Sequence, residues 1–122
     1  MIDSKIILGT AQFGMDYGIN NTSGKISKSK AFDILNYAFS NGIKELDTAS
    51  SYEDSEKVIG EYLNSYPKNR FIITTKISDI KIPLENQLYN SLENLKIGKI
   101  DKLLFHSYHV YKNFEKQVKD FH

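Results

Sequence analysis

Four ionisable side chains of four different types stand at or just beyond the ends of short apolar runs: Asp47, Tyr52, Lys76 and His106. A carboxylate, a phenol, an ammonium and an imidazole gathered at one place make a proton-transfer site, because each holds or donates a proton at a different strength. Taken singly, each has a plainer reading. Asp47 would cap a turn, Lys76 would be solvated or form a structural ion pair, and His106 would be a hydrogen-bonded core histidine. Their common placement at strand ends is what raises the functional reading. A lysine Schiff base at Lys76 is a different chemistry open to the Asp47–Lys76 pair.

Other motifs carry less. Gly9-Thr10-Ala11-Gln12-Phe13-Gly14 lacks the G-x-G-x-x-G spacing, and Gly24-Lys25 is followed by Ile26, so neither nucleotide-binding glycine loop is expected. His106 and His109 are three apart on a run read as a strand passing into a loop, and no third ligand accompanies them, so no metal is expected. Lys25, Lys28 and Lys30 read as a solvated helix start rather than a phosphate site.

The elements that must position these groups alternate in type. Ile6-Ile7-Leu8, ending at Gly9, reads as a buried strand, followed by a long polar loop to Ser27 that includes Gly14, Gly18, Asn20-Asn21 and Gly24. Its glycines read as a flexible surface loop. Ser27 caps a helix from Lys28 to about Ser40 with Ala31, Ile34, Leu35 and Ala38 on one face, and Asn41-Gly42 ends it. Ile43 to Asp47 reads as a second strand, and Val58, Ile59, Tyr62 and Leu63 mark a second helix closed by Pro67. Phe71 to Thr75 is the clearest strand and runs into Lys76. A helix starting near Pro83 has Leu84, Leu88, Leu92 and Leu95 as its buried stripe; Lys102 to His106 makes a fourth strand, and a last helix begins at Asn113.

The β-α-β-α-β-α-β-α order predicts parallel strands joined by right-handed crossovers. An open doubly wound sheet and a closed eight-stranded barrel both satisfy it. Functional groups on successive strand ends favour the barrel, which gathers its site at the C-terminal ends of its strands. A complete barrel needs about 250 residues, so residues 1–122 are read as one partial domain, its N-terminal half of about four βα units.

Composition narrows the function classes. The chain is 40% apolar and 25% charged, with two prolines, which is the balance of a packed globular domain. Sixteen basic against fifteen acidic residues leave a formal charge of +1, too little to attract nucleic acid or an anionic membrane. Cysteine is absent, which removes disulfides, thiolate metal sites and thiol nucleophiles. Met1-Ile2-Asp3-Ser4-Lys5 does not open a signal peptide and no run reaches membrane-spanning length, so a cytoplasmic location is expected.

With these residues in view, the chain resembles the aldo-keto reductase family. Gly42-Ile43-Lys44-Glu45-Leu46-Asp47-Thr48-Ala49 with Tyr52, Glu56 and Gly60 looks like the family's first signature. Thr75-Lys76 and Phe105-His106 lie where its lysine and histidine belong, and Leu8 to Gly14 is similar to its first strand and loop. The resemblance implies a TIM-type (β/α)₈ barrel that reduces an aldehyde or ketone with NADPH and no metal. It implies a tetrad of Asp47, Tyr52, Lys76 and His106, with Tyr52 as proton donor. Beside an ammonium, a phenol that ordinarily ionises at about pH 10 becomes a stronger acid. Gly9, Thr10 and Asp47 resemble positions near the nicotinamide. The expected partner is a small carbonyl substrate. The second half of the barrel is not in this sequence, so a truncated chain with little activity of its own is expected, with exposed strand edges inviting self-association or a separate C-terminal half.

Overall fold

A computed structural model describes residues 5–16 and 24–120. Gly18 and Asn20-Asn21, placed in the first long loop by the sequence, lie outside the described residues.

Four strands, β1 (Ile7–Gly9), β2 (Glu45–Asp47), β3 (Ile72–Ile77) and β4 (Lys102–Phe105), pair in parallel in the order β1-β2-β3-β4. Helices α1 (Lys28–Ser40), α2 (Ser55–Ser65) and α3 (Leu84–Leu95) form the crossovers, and α4 (Tyr108–Asp120) follows β4. A doubly wound sheet would reverse its strand order at a switch point. This sheet does not reverse: each strand lies beside its predecessor, as in an arc of a barrel wall.

The alternation of side chains along each strand separates two faces. Leu46, Ile73, Thr75 and Ile77 are buried toward the helices, where Ala31, Leu35, Ile59, Tyr62 and Leu95 complete the main core. A smaller cluster joins Ile77 and Leu84 to Val110 and Phe114 of α4. The other face carries Gly9, Asp47, Lys76 and Leu104, and the register brings Gly9 opposite Asp47 and Lys76 opposite Leu104.

Local chemistry explains the element ends. Ser27 accepts a hydrogen bond from the Lys30 N–H as the N-cap of α1, as its sequence predicts, and Gly42 with φ +90° turns the chain out of that helix. Five expectations are corrected. β1 is not a buried strand: Ile7 and Gly9 are exposed and only Leu8 is partly covered, because Ile7 and Gly9 lie on the face without helices. The loop glycine Gly14 is buried rather than at the surface, and Ala11–Phe13 just before it form a 3₁₀ turn with Ala11 and Phe13 buried. In α3 the interior stripe is Leu84, Gln87, Ser91 and Leu95, not an all-leucine row. Gln87 is tolerated inside because its amide is fully engaged, accepting from the Asp79 N–H and donating to the Asp79 and Ile82 carbonyls. β3 continues through Lys76 to Ile77, so the lysine sits within the strand. Helix α4 starts at Tyr108, five residues before Asn113, because the Ser107 hydroxyl accepts from the Val110 N–H and caps it. His109 therefore lies on a helix rather than in a loop.

Candidate active site

Asp47 ends β2, and the chain then loops over the mouth of the sheet before α2 begins. This loop is tied down along its length. The Thr48 N–H donates to the Thr74 carbonyl at 2.8 Å, and both the N–H and hydroxyl of Ser50 donate to the Lys76 carbonyl at 3.2 and 2.9 Å. Tyr52 is therefore presented over the end of β3, the strand from which Lys76 rises.

Lys76 is the centre of the arrangement. Its Nζ donates to Asp47 Oδ2 at 2.8 Å, to the Thr48 carbonyl at 2.9 Å and to the Tyr52 hydroxyl at 3.4 Å. An ammonium has three N–H donors, and these three acceptors use all of them. The phenol oxygen of Tyr52 is thus an acceptor toward Lys76, which leaves its own proton for a different acceptor. The Lys76 side chain is only 15% exposed, against 33% for Asp47, so the pair is shielded from solvent more than a surface ion pair is. Nζ also lies 5.0 Å from the centre of the Tyr52 ring.

His106 follows β4, held by its N–H to the Ile77 carbonyl at 2.9 Å. Its ring stands edge-on to Tyr52, with centroids 6.2 Å apart, and Nδ1 is 3.5 Å from Ser51 Oγ. The histidine is exposed, which corrects the reading of it as a core residue: the strand ends at Phe105, so His106 reaches the open mouth instead of the interior. The structure thus brings Asp47, Tyr52, Lys76 and His106 together at the C-terminal end of the sheet.

Gly9 and Thr10 sit beside this group in different ways. A Cβ on Gly9 would meet nothing within 4 Å, so the backbone there borders open space. Thr10 is buried, and its hydroxyl is taken up internally, donating to the Asp47 carbonyl at 2.9 Å and lying 3.0 Å from Ser55 Oγ. A cavity of about 330 Å³ is bordered by Gly9, Thr10, Gln12, Asp47 and Tyr52 among others. A larger cleft of about 860 Å³, lined by Lys44, Arg70, Phe71 and Lys99 among others, lies at the opposite end of the strands, away from these ionisable groups. Chemistry rather than volume therefore locates the site.

The sequence reading gave no role to Thr48, Ser50, Ser51, Ser55 or Thr75, which fix the loop by hydrogen bonds. Hydroxyl residues crowded into 48–55 were the available signal. Among the described residues no group of three or more histidine, aspartate or glutamate side chains could hold a metal ion.

Comparison with known proteins follows the same lines. The model of the Aldo/keto reductase family matches residues 5–122. D-arabinose 1-dehydrogenase of Saccharomyces cerevisiae is 33% identical over 81 residues, which cover 63% of this chain and 23% of that protein. Norsolorinic acid reductase B of Dothistroma septosporum is 33% identical over 78 residues, covering 62% of this chain and 19% of its own length. A solved structure from Pseudomonas aeruginosa, assigned to the aldo-keto reductases, superposes with TM-score 0.70 at 25% identity, covering 94% of this chain and 51% of that one. An aldo/keto reductase from Brucella melitensis shares the fold at TM-score 0.61 and 21% identity, covering 94% and 44%. The chain spans about half the length of these solved structures and a smaller share of the two named relatives. Its strands and helices are those of the N-terminal half of a (β/α)₈ barrel, and the chain belongs to the aldo/keto reductase family.

Proposed function

We propose that this chain carries the proton-transfer half of an NADPH-dependent carbonyl reductase, with Tyr52 as proton donor and Lys76, Asp47 and His106 as its support. The observation that carries the reading is the Lys76 ammonium, held by Asp47 and the Thr48 carbonyl and directed at the Tyr52 hydroxyl. The family and the reductase name of one relative support carbonyl reduction in general.

The residues present fit the nicotinamide end of the cofactor. Gly9 leaves room where a side chain would intrude, and the adjoining space of about 330 Å³ is within the range of small-ligand pockets. Gly9, Thr10 and Asp47 would border that end, Thr10 through its position rather than its engaged hydroxyl. When bound, NADPH supplies the hydride to the carbonyl carbon. The carbonyl oxygen then gains negative charge and needs a proton, which Tyr52 gives from its hydroxyl. Lys76 donates to the Tyr52 oxygen, and Asp47 holds the lysine in place beside it. His106, across from Tyr52, hydrogen-bonds the same oxygen and selects its direction of approach.

Full activity is proposed to require the rest of a barrel wall. Purified alone, the 122-residue chain is expected to bind NADPH weakly and to reduce aldehydes barely above background. Fluorescence titration and loss of NADPH absorbance measure both; micromolar affinity with steady turnover would overturn the requirement for a second half.

A second reading is favoured by the concave face, where Ile7 is 51%, Ile72 40% and Leu104 48% exposed. On that reading the chain is a non-catalytic half-barrel that pairs with a second copy or with a complementary half. Light scattering decides it, since a stable monomer at working concentration removes the support for pairing between copies.

A further inference from the structure

The chemistry proposed for Tyr52 depends on where its loop rests, and the proposal made here rests on that reading. Two residues of the signature, Glu56 and Gly60, have no part in the tetrad. Gly60 is accounted for by packing, since a Cβ there would lie 2.0 Å from the Asn94 carbonyl oxygen of α3. Glu56 is different. It is a carboxyl-bearing residue only 2% exposed, in the first turn of α2, and Thr75 Oγ1 donates to its Oε2 at 2.7 Å. Thr75 is the residue before Lys76 and points to the opposite face of the same strand. The hydrogen bond thus joins the helix that follows Tyr52 to the strand that carries Lys76.

Ser55, the residue before Glu56, makes the equivalent join to the ends of β1 and β2. Its hydroxyl donates to the Thr10 carbonyl at 2.9 Å and lies 3.0 Å from both Thr10 Oγ1 and Thr48 Oγ1, with all three residues buried. Its N–H donates to the Tyr52 carbonyl at 3.0 Å. Gly14 closes the arrangement from below: a Cβ there would stand 2.0 Å from the Tyr52 carbonyl oxygen and 2.2 Å from the Ser55 nitrogen. Space, not backbone conformation, requires glycine at 14, because its φ is −118°.

We propose that Ser55 and Glu56 are positioning residues for Tyr52, clamping the start of α2 to β1, β2 and β3 through Thr10, Thr48 and Thr75 so that the phenol is held against Lys76. Buried hydroxyls and a buried carboxyl are costly to leave unpaired, so moving the start of α2 away from these strands would leave them without partners. Proton delivery tolerates little misplacement, which is the reason to spend buried polar groups on the loop.

The test reads geometry rather than activity, so it stands apart from the fate of the reductase reading. In the full chain, NMR measures cross-relaxation between the Tyr52 ring protons and the Lys76 ε-methylene, assigned with Tyr52→Phe. The wild type is expected to show this cross-peak. Thr75→Val is expected to weaken it about twofold or more, because the strand loses its hold on Glu56, and Thr75→Ser to restore it. Gly60→Ala perturbs α2 at its contact with α3 and is expected to leave the cross-peak in place. If Thr75→Val does not fold, Ser55→Ala, expected to weaken the peak in the same way, decides the matter. A wild type without the cross-peak, or a folded Thr75→Val and Ser55→Ala with full intensity, would overturn the proposal. Failure of carbonyl reduction in a turnover assay would count against the reductase reading alone.

Discussion

At the scale of single residues, the site is organised by the count of donors on Lys76. Asp47 takes one, the Thr48 carbonyl another and the Tyr52 hydroxyl the third. Replacing Asp47 by Asn keeps the shape but removes the charge that holds the ammonium. An Asp47→Asn chain assembled into an active barrel is expected to lose roughly tenfold to a hundredfold in kcat, with a smaller change in KM, measured by steady-state kinetics. A second prediction concerns Tyr62, whose ring is buried in the core and whose hydroxyl donates to Asn36 Oδ1 at 2.7 Å and accepts from Asn69 Nδ2 at 3.0 Å. Burial holds its phenol above the ordinary value, against a smaller opposing effect of the Asn69 hydrogen bond. A phenol raised in the folded state contributes stability that is complete below its unfolded value, about pH 10, and lost as pH rises through the folded one. Denaturant unfolding at increasing alkalinity should therefore show a steeper loss of stability for wild type than for Tyr62→Phe. Equal slopes would show that Tyr62 is not the group responsible.

At the scale of elements, helix ends carry the testable features. Lys96 caps α3 in the left-handed conformation with φ +55°, a place where glycine has no steric cost. Lys96→Gly should stabilise the chain by about 0.5–1 kcal/mol in chemical denaturation, since the left-handed cost removed exceeds the added freedom of the unfolded chain. Gly60→Ala should destabilise it by about 1–3 kcal/mol, because the new methyl forces α2 away from the backbone of α3 at Asn94. These elements show how far the sequence could be read. Helices α1 and α3, strand β3 and the cap at Ser27 followed from periodicity, β-branching and capping chemistry, which are local. Gln87 inside α3 was hidden because its partners Asp79 and Ile82 come from the preceding loop, and tertiary hydrogen bonding overrode its polarity. The early start of α4 was legible in Ser107 but was outweighed by the reading of His106 to His109 as a strand passing into a loop. The tetrad positions were visible as residue types at strand ends. Their supporting hydroxyls were not, since they depend on which strands lie side by side.

At the scale of the whole molecule, a four-stranded parallel arc has two features that shape its behaviour. Its helix-covered face is packed around Leu46, Ile59, Tyr62 and Ile73, whereas Ile7, Ile72 and Leu104 are exposed on the other. On that exposed face Lys102 bridges to Glu45 at 3.1 Å across the intervening strand, a pair that gains strength only when water is excluded. Parallel strands are most often covered on both faces, and here only the helix side is. The most direct measurement joins these scales. The 122-residue chain is mixed with the C-terminal half of the Pseudomonas aeruginosa relative, and oxidation of NADPH is followed with an aldehyde present. Turnover is expected to appear with the wild-type chain and to fall by about a hundredfold or more with Tyr52→Phe. Equal turnover for Tyr52→Phe and wild type would contradict the assignment of proton delivery to Tyr52.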